Sequence, residues 1–360
     1  MKVTRRLLAG AILASASWTA QAAVPVSSFY SSLIVFGDSL SDPGNAAAVT
    51  QLTPGAGSLF PPTPNGRFSN GATAAEVLAD LLGVPTQLGW PSAAGGTNFA
   101  VGGAMTGSGN YNFTVDSPAG LQANYAASIG VSGIQSQIGL FQPSAAYGSS
   151  PLFMVQGGAN DMFLGFALEQ LAPGSQNFNA IVGTAVNNMA GNISALVGKG
   201  AKTIMVSNMP DLGLTPFAQG AGAGFAAQAT ALTNGFNTAL AAAVGGIDAS
   251  LGADYNIFIF DSAGFGRDAI ANKPGGLVNV TDACLASAGA VASNCAGYLF
   301  WDGVHPTGLA HALTGEALYS AAMAAAVPEP EAWLLMLAGL GIVGLRARRR
   351  TLSCKRQLTA

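Results

Sequence analysis

A serine hydroxyl attacks a carbonyl only when a neighbouring base takes its proton, and a histidine is the usual base. This chain has two histidines, His305 and His311. His305 lies in Trp301-Asp302-Gly303-Val304-His305-Pro306-Thr307, three residues after a carboxylate, so one turn can supply both the base and the acid that orients it. The matching hydroxyl stands in Phe36-Gly37-Asp38-Ser39-Leu40-Ser41-Asp42, directly after an apolar run, where Gly37 permits a sharp turn that exposes Ser39. Acyl transfer also needs N–H donors aimed at a developing oxyanion. The candidates are the Ser39 N–H, the backbone of Gly102 in Asn98-Phe99-Ala100-Val101-Gly102-Gly103-Ala104, and the side-chain amide of Asn160 in Gln156-Gly157-Gly158-Ala159-Asn160-Asp161. The sequence does not choose between Gly102 and Gly103 as the backbone donor. His311, six residues beyond His305, is expected to be a packed or surface residue of the last helix. Asp38, Asp42, Asn45 and Asp161 are expected to hold turns, and Asp211 to shape a loop.

These motifs act together only if the chain carries them to one place. Leu33–Phe36, Thr97–Val101, Leu152–Gln156, Thr203–Ser207 and Ile257–Phe260 read as short buried strands. Helical stretches are expected at about 71–82, 177–198 and 222–243, with a last one from Pro306 to about Ala325, Pro306 lying in its first turn. Strands alternating with helices predict a parallel sheet covered on both faces. The Gly- and Pro-rich stretches 53–71, 102–120 and 263–297 read as long loops. Ligands of such sheets bind beyond the carboxyl ends of the strands, where each of the motifs above would stand.

Charge separates the body from the ends. Between the two termini five basic residues face fifteen acidic ones, and this surplus of negative charge argues against nucleic-acid binding. With three cysteines and two histidines, zinc fingers and iron–sulfur clusters lack ligands, and no metal or cofactor is expected. Residues 1–22 show a basic opening (Lys2, Arg5, Arg6), an apolar run and Ala20-Gln21-Ala22, the pattern of a cleaved secretory signal peptide. Cys284 and Cys295, eleven apart, are candidates for a disulfide in an oxidising compartment, while Cys354 falls in the tail.

In its four short motifs the chain resembles the GDSL lipases and esterases, also called SGNH hydrolases. Gly37-Asp38-Ser39-Leu40 matches the first block, Gly102 the second, Gly158-x-Asn160-Asp161 the third and Asp302-x-x-His305 the last. The likeness includes Asn65-Gly66-Arg67-Phe68-Ser69-Asn70-Gly71 and Tyr298-Leu299-Phe300-Trp301, and spans about residues 31–325. It is nearest to the branch of plant GDSL esterases and bacterial outer-membrane esterases. The resemblance implies a three-layer α/β/α sandwich of flavodoxin-like kind over residues 23–326. It implies Ser39 as nucleophile, His305 as base, Asp302 as its orienter, and Ser39, Gly102 and Asn160 as oxyanion donors. The implied substrate is an acyl ester or lipid. Apolar residues Phe60, Phe113, Phe163 and Phe166 either line an acyl groove or pack in the core. A carbohydrate acetylesterase and a non-catalytic surface or matrix protein on the same scaffold are the alternatives.

The C-terminal stretch carries Val327-Pro328-Glu329-Pro330, an apolar run from Ala332 to Leu345 and an arginine cluster through Arg350. Residues 327–350 resemble the PEP-CTERM sorting signals that exosortase machinery processes in Gram-negative bacteria, with a short polar tail at 351–360. This resemblance implies an exported or cell-surface protein whose only membrane contact is that segment.

Overall fold

The computed structural model describes residues 29–52, 66–84, 96–114, 132–326 and 337–343. The expected signal peptide, loop residues 53–65 and 115–120, Phe60, Cys354 and most of the sorting segment lie outside them, as does the side chain of Phe113.

Four strands, β1 (Ser32–Phe36), β2 (Pro151–Gln156), β3 (Thr203–Ser207) and β4 (Asn256–Phe260), form a parallel sheet in the order β1-β2-β3-β4. Around it run α1 (Asn45–Leu52), α2 (Ala74–Leu82), α3 (Ile134–Leu140), α4 (Ala159–Leu171), α5 (Phe178–Gly198), α6 (Ala223–Ser250), α7 (Ser262–Asn272) and α8 (Gly308–Ala326). Side chains alternate across a strand, so each short apolar run serves two cores. Ile34, Phe36, Phe153, Val155, Ile204 and Val206 face the layer that contains α4, α5 and α6. Leu33, Val35, Leu152, Met154 and Met205 face the layer of α2 and α8. Helices cover both faces, giving the expected three layers.

Three local expectations are corrected. Thr97–Val101 is not a regular strand: it meets β1 at a single bridge, Val35 with Asn98. Its backbone does run along the β1 edge, with Val35 N–H donating to Thr97 O (2.8 Å), Phe99 N–H to Val35 O (2.8 Å) and Val101 N–H to Gly37 O (3.1 Å). The Asn98 side chain, however, accepts from Ala100 N–H (3.1 Å), a local turn that competes with extended pairing. The stretch 263–297 is not a long loop. It contains most of α7 and, with β6 (Tyr298–Phe300), supplies β5 (Asn279–Ala283) of a second, two-stranded sheet. Cys284 and Cys295 are joined there as a disulfide, their Cα atoms 5.5 Å apart. Finally, Pro306 lies outside the last helix. Thr307 precedes α8, and its hydroxyl accepts from Ala310 N–H at 3.2 Å, as an N-cap does.

Candidate active site

Ser39 stands three residues beyond β1, on a turn whose shape is set from two sides. The Gln137 side chain of α3 accepts from Gly37 N–H (2.9 Å) and donates to Gly37 O (2.8 Å). It clamps that peptide like a neighbouring strand. The Asp38 carboxylate accepts from Leu40 N–H at 3.0 Å, so it holds the turn as expected of an Asx residue. Burial pushes the Asp38 carboxyl up to about 6, against the opposing pull of Leu40 N–H and His305.

His305 arrives from the loop between β6 and α8. Its Nε2 is 2.8 Å from Ser39 Oγ and its Nδ1 is 2.7 Å from Asp302 Oδ2, joining groups 266 residues apart. The other Asp302 oxygen accepts from the backbone N–H of Val304 (2.9 Å) and of His305 (2.7 Å). Burial pushes the Asp302 carboxyl up, but the hydrogen bond and charge of His305, with these two N–H groups, outweigh it and hold it below the usual carboxylate range. An ionised Asp302 keeps the imidazole proton on Nδ1 and leaves the Nε2 lone pair facing the hydroxyl. Phe68 packs beside the imidazole, ring centroids 5.2 Å apart. The stretch around Phe68 is tied to the same loop: Ser69 Oγ donates to Pro306 O (2.9 Å), and Gly308 N–H donates to Asn70 Oδ1 (2.8 Å).

Of the two glycines left open as backbone donor, Gly102 is engaged elsewhere. Gly102 N–H donates to Asp42 Oδ2 at 2.8 Å and is therefore committed away from Ser39. Asp42 also accepts from the N–H groups of Gly44, Asn45 and Ala46 (2.8, 2.6 and 3.1 Å), so one buried carboxylate gathers the start of α1 and the second motif. A Cβ on Gly102 would fall 2.1 Å from the Phe68 ring, which explains the glycine. Gly103, at φ +82°, lines the cavity together with Ser39 and Asn160. Asn160, on the first turn of α4, donates one side-chain N–H to Ala104 O (3.0 Å); an amide carries a second.

Asp161 and Asn45, expected to hold turns, bond to distant segments instead. Asp161 accepts from both N–H (2.9 Å) and hydroxyl (2.7 Å) of Thr106. Asn45 donates to Asn98 O (2.9 Å) and Ala100 O (2.8 Å). Asp211 accepts from Gly213 N–H (3.1 Å), shaping its loop as expected, and pairs with Arg267 at 2.8 Å. Gln137 and the Asp42 link to Gly102 had no local signal, because each depends on a partner 60 or more residues away. Phe68 had one, in the Asn65–Gly71 stretch.

These groups open into a cavity of about 610 Å³, within the range of small-molecule sites. No lysine or arginine is among the described residues that line it. Phe163 and Phe217 are on its wall, ring centroids 6.0 Å apart. Phe166, for which the sequence left groove and core both open, is core: it is 3% exposed and packs on Phe178 and Phe225.

His311 is buried at the head of α8, where Nδ1 accepts from Ala74 N–H at 3.2 Å, and burial pushes its pKa down to about 3. The imidazole is thus neutral when folded, while in the unfolded chain it titrates near 6.5. Below pH 6.5 the unfolded state alone takes up this proton, so stability falls as the pH drops, by about 1.4 kcal/mol per unit at most. His311→Asn keeps an acceptor and removes the titration. Urea unfolding at pH 7.5 and pH 4.5 should show wild type losing about 2–3 kcal/mol more than the variant. Asp38 and Asp42, which burial raises to about 6, act in the opposite sense but equally in both proteins. Equal losses would refute the assignment.

A parallel α/β sandwich with a Ser–His–Asp hydrogen-bonded chain at the carboxyl edge of its sheet defines a class of hydrolase-like proteins. Within that class, the GDSL-like lipase/acylhydrolase family model matches residues 33–318, and the chain belongs to this family. A PEP-CTERM protein-sorting motif matches residues 326–350. GDSL esterase/lipase 6 of Arabidopsis thaliana is 27% identical over 216 residues, 53% of this chain and 54% of its own length. A second GDSL esterase/lipase of that plant is 26% identical over 302 residues, 76% of this chain and 78% of its own length. A GDSL-like lipase structure from Parabacteroides merdae covers 82% of this chain and 97% of its own with TM-score 0.40 and 14% identity. The chain therefore spans about half the length of the first relative and more of the others.

Proposed function

We propose that this protein is an exported carboxylic ester hydrolase that works through an acyl-enzyme on Ser39. The single observation that carries the reading is the unbroken chain from Ser39 Oγ to His305 Nε2 (2.8 Å) and from His305 Nδ1 to Asp302 Oδ2 (2.7 Å). Ser39 Oγ attacks the ester carbonyl carbon as its proton passes to Nε2. The C–O bond to the alcohol then breaks, and the alcohol leaves with that proton. Water, deprotonated by the same nitrogen, attacks the acyl-enzyme and releases the acid. The Ser39 and Gly103 N–H groups and the Asn160 amide are the oxyanion donors in this reading. Asp42 is a positioning residue, since it fixes Gly102 and so the backbone on which Gly103 turns.

The cavity wall carries Asp38, Asp211 and Asp302 and, among the described residues, no lysine or arginine, which disfavours an anionic substrate. Uncharged acyl esters are therefore favoured. For the whole chain we propose residues 1–22 as a cleaved signal peptide, 23–326 as the hydrolase domain, and 327–350 as a sorting segment processed by an exosortase. A fluorophosphonate probe should label the purified protein at Ser39, located by peptide mass spectrometry, and chromogenic acyl esters should be hydrolysed. Failure of both would overturn the reading, as would labelling at another serine.

A further inference from the structure

Two buried side chains on the cavity wall, Gln156 and His311, each carry an N–H that bonds to no described residue. We infer that these donors bind a hydroxyl oxygen of the substrate, so that the site selects esters with a hydroxyl close to the ester bond. The inference rests on the ester-hydrolase reading and narrows its substrate class.

Gln156 is the last residue of β2, at the carboxyl edge of the sheet. Side chains two apart share a face of a strand, so Gln156 lies on the face of Met154, toward the layer of α2 and α8. It is 7% exposed. Its Oε1 accepts from Ser41 Oγ at 2.9 Å, which fixes the amide and leaves both N–H groups of Nε2 without a protein acceptor among the described residues. Ser207, its register partner on β3, also lines the cavity. The hydroxyls of Ser207 and Ser262 share one hydrogen bond of 2.6 Å, which uses one of their two protons.

His311 comes from α8, in the layer that covers this face of the sheet, and is 3% exposed. Because Nδ1 accepts from Ala74 N–H at 3.2 Å, the proton of the neutral ring sits on Nε2. That N–H bonds to no described residue. The contrast with His305 is plain: both of its nitrogens are engaged, one by Asp302 and one by Ser39.

A buried donor left without an acceptor costs more than a made hydrogen bond gains, so native proteins pair nearly all of them. Here two such donors, with the spare proton of the serine pair, line the same cavity as the nucleophile. All of them are uncharged, which suits a neutral oxygen. A plain alkyl group pressed against them would take away their water and return no bond. A hydroxyl accepts from them through its lone pairs. Discrimination of this kind is steep, because the substrate that lacks the hydroxyl leaves the site's own polar groups unpaired.

The test is kcat/KM by titration of released acid for three esters of matched size: propyl butyrate, glyceryl monobutyrate and propyl β-hydroxybutyrate. Each value is taken relative to that ester's alkaline hydrolysis, which removes its intrinsic reactivity. At least one hydroxylated ester should exceed propyl butyrate by at least about tenfold. Preference for the glyceryl ester places the hydroxyl on the alcohol, and preference for the hydroxybutyrate places it on the acid. Gln156→Met removes one donor and His311→Asn, which keeps an acceptor for Ala74 N–H, removes the other; each should lower the preference at least about threefold. If only one variant folds, that one decides. Equal values for the three esters, or a preference that the folded variants retain in full, overturns this inference alone. A wild type that neither reacts with fluorophosphonate nor cleaves any ester overturns the hydrolase reading, and this inference with it.

Discussion

Ser39→Ala is expected to abolish ester hydrolysis and fluorophosphonate labelling together, lowering kcat by about 10⁶-fold, as loss of the nucleophile does in other Ser–His–Asp systems. The lost atom is the one whose proton faces His305 Nε2 at 2.8 Å. Residual activity would come only from water activated in the same cavity. The change should leave the fold intact, because the turn is held by groups other than the hydroxyl: Gln137 across Gly37, and Asp38 on Leu40 N–H. Steady-state hydrolysis and probe labelling of wild type and variant, with circular dichroism as the folding control, make the measurement. Labelling of the variant at wild-type intensity would remove Ser39 from the mechanism.

Asp302→Asn should cost about 10⁴-fold in kcat while preserving the loop. The variant keeps a side-chain oxygen for the N–H groups of Val304 and His305, which Asp302 Oδ1 now accepts at 2.9 and 2.7 Å. What it loses is the negative charge facing His305 Nδ1 at 2.7 Å. An amide turned toward Nδ1 donates rather than accepts, which drives the imidazole proton to Nε2 and removes the base. A neutral side chain also cannot stabilise the imidazolium that forms during proton transfer. Stopped-flow or steady-state hydrolysis of one activated ester decides the matter, and a variant within tenfold of wild type would show that Asp302 does not orient the base. Asp302 is well suited to the test because its carboxyl is held below the usual range and stays ionised in the wild type near neutral pH.

Much of the candidate site is legible from short motifs because each motif carries its own local physics. An Asp-x-x-His turn lets one carboxylate bind two backbone N–H groups and the imidazole at once, and that geometry spans only residues 302–305. Gly-Asp-Ser after an apolar strand is likewise a local turn. The four main strands were legible for a related reason: strands buried on both faces require continuous apolar runs. Thr97–Val101 breaks that pattern at Asn98 and is not a regular strand, because the Asn98 side chain accepts from Ala100 N–H. The segment 263–297 misled in the opposite direction, its glycines reading as loop where a helix and a disulfide-linked β pair form.

By itself, then, the amino-acid order determined which side chains are available for proton transfer, which runs must be buried strands, and how charge is divided between the body and the two ends. Tertiary structure alone decided that Gly102 gives its N–H to Asp42, leaving Gly103 at the cavity, and that Phe163 lines the cavity while Phe166 is core. The physical reason is separation. Backbone propensity, turn chemistry and hydrophobic period act over a few residues, whereas Asp42 and Gly102 are 60 residues apart and Ser39 and His305 are 266 apart. Their hydrogen bonds form only where packing of the whole sheet and its two helical layers brings the ends of separate segments together.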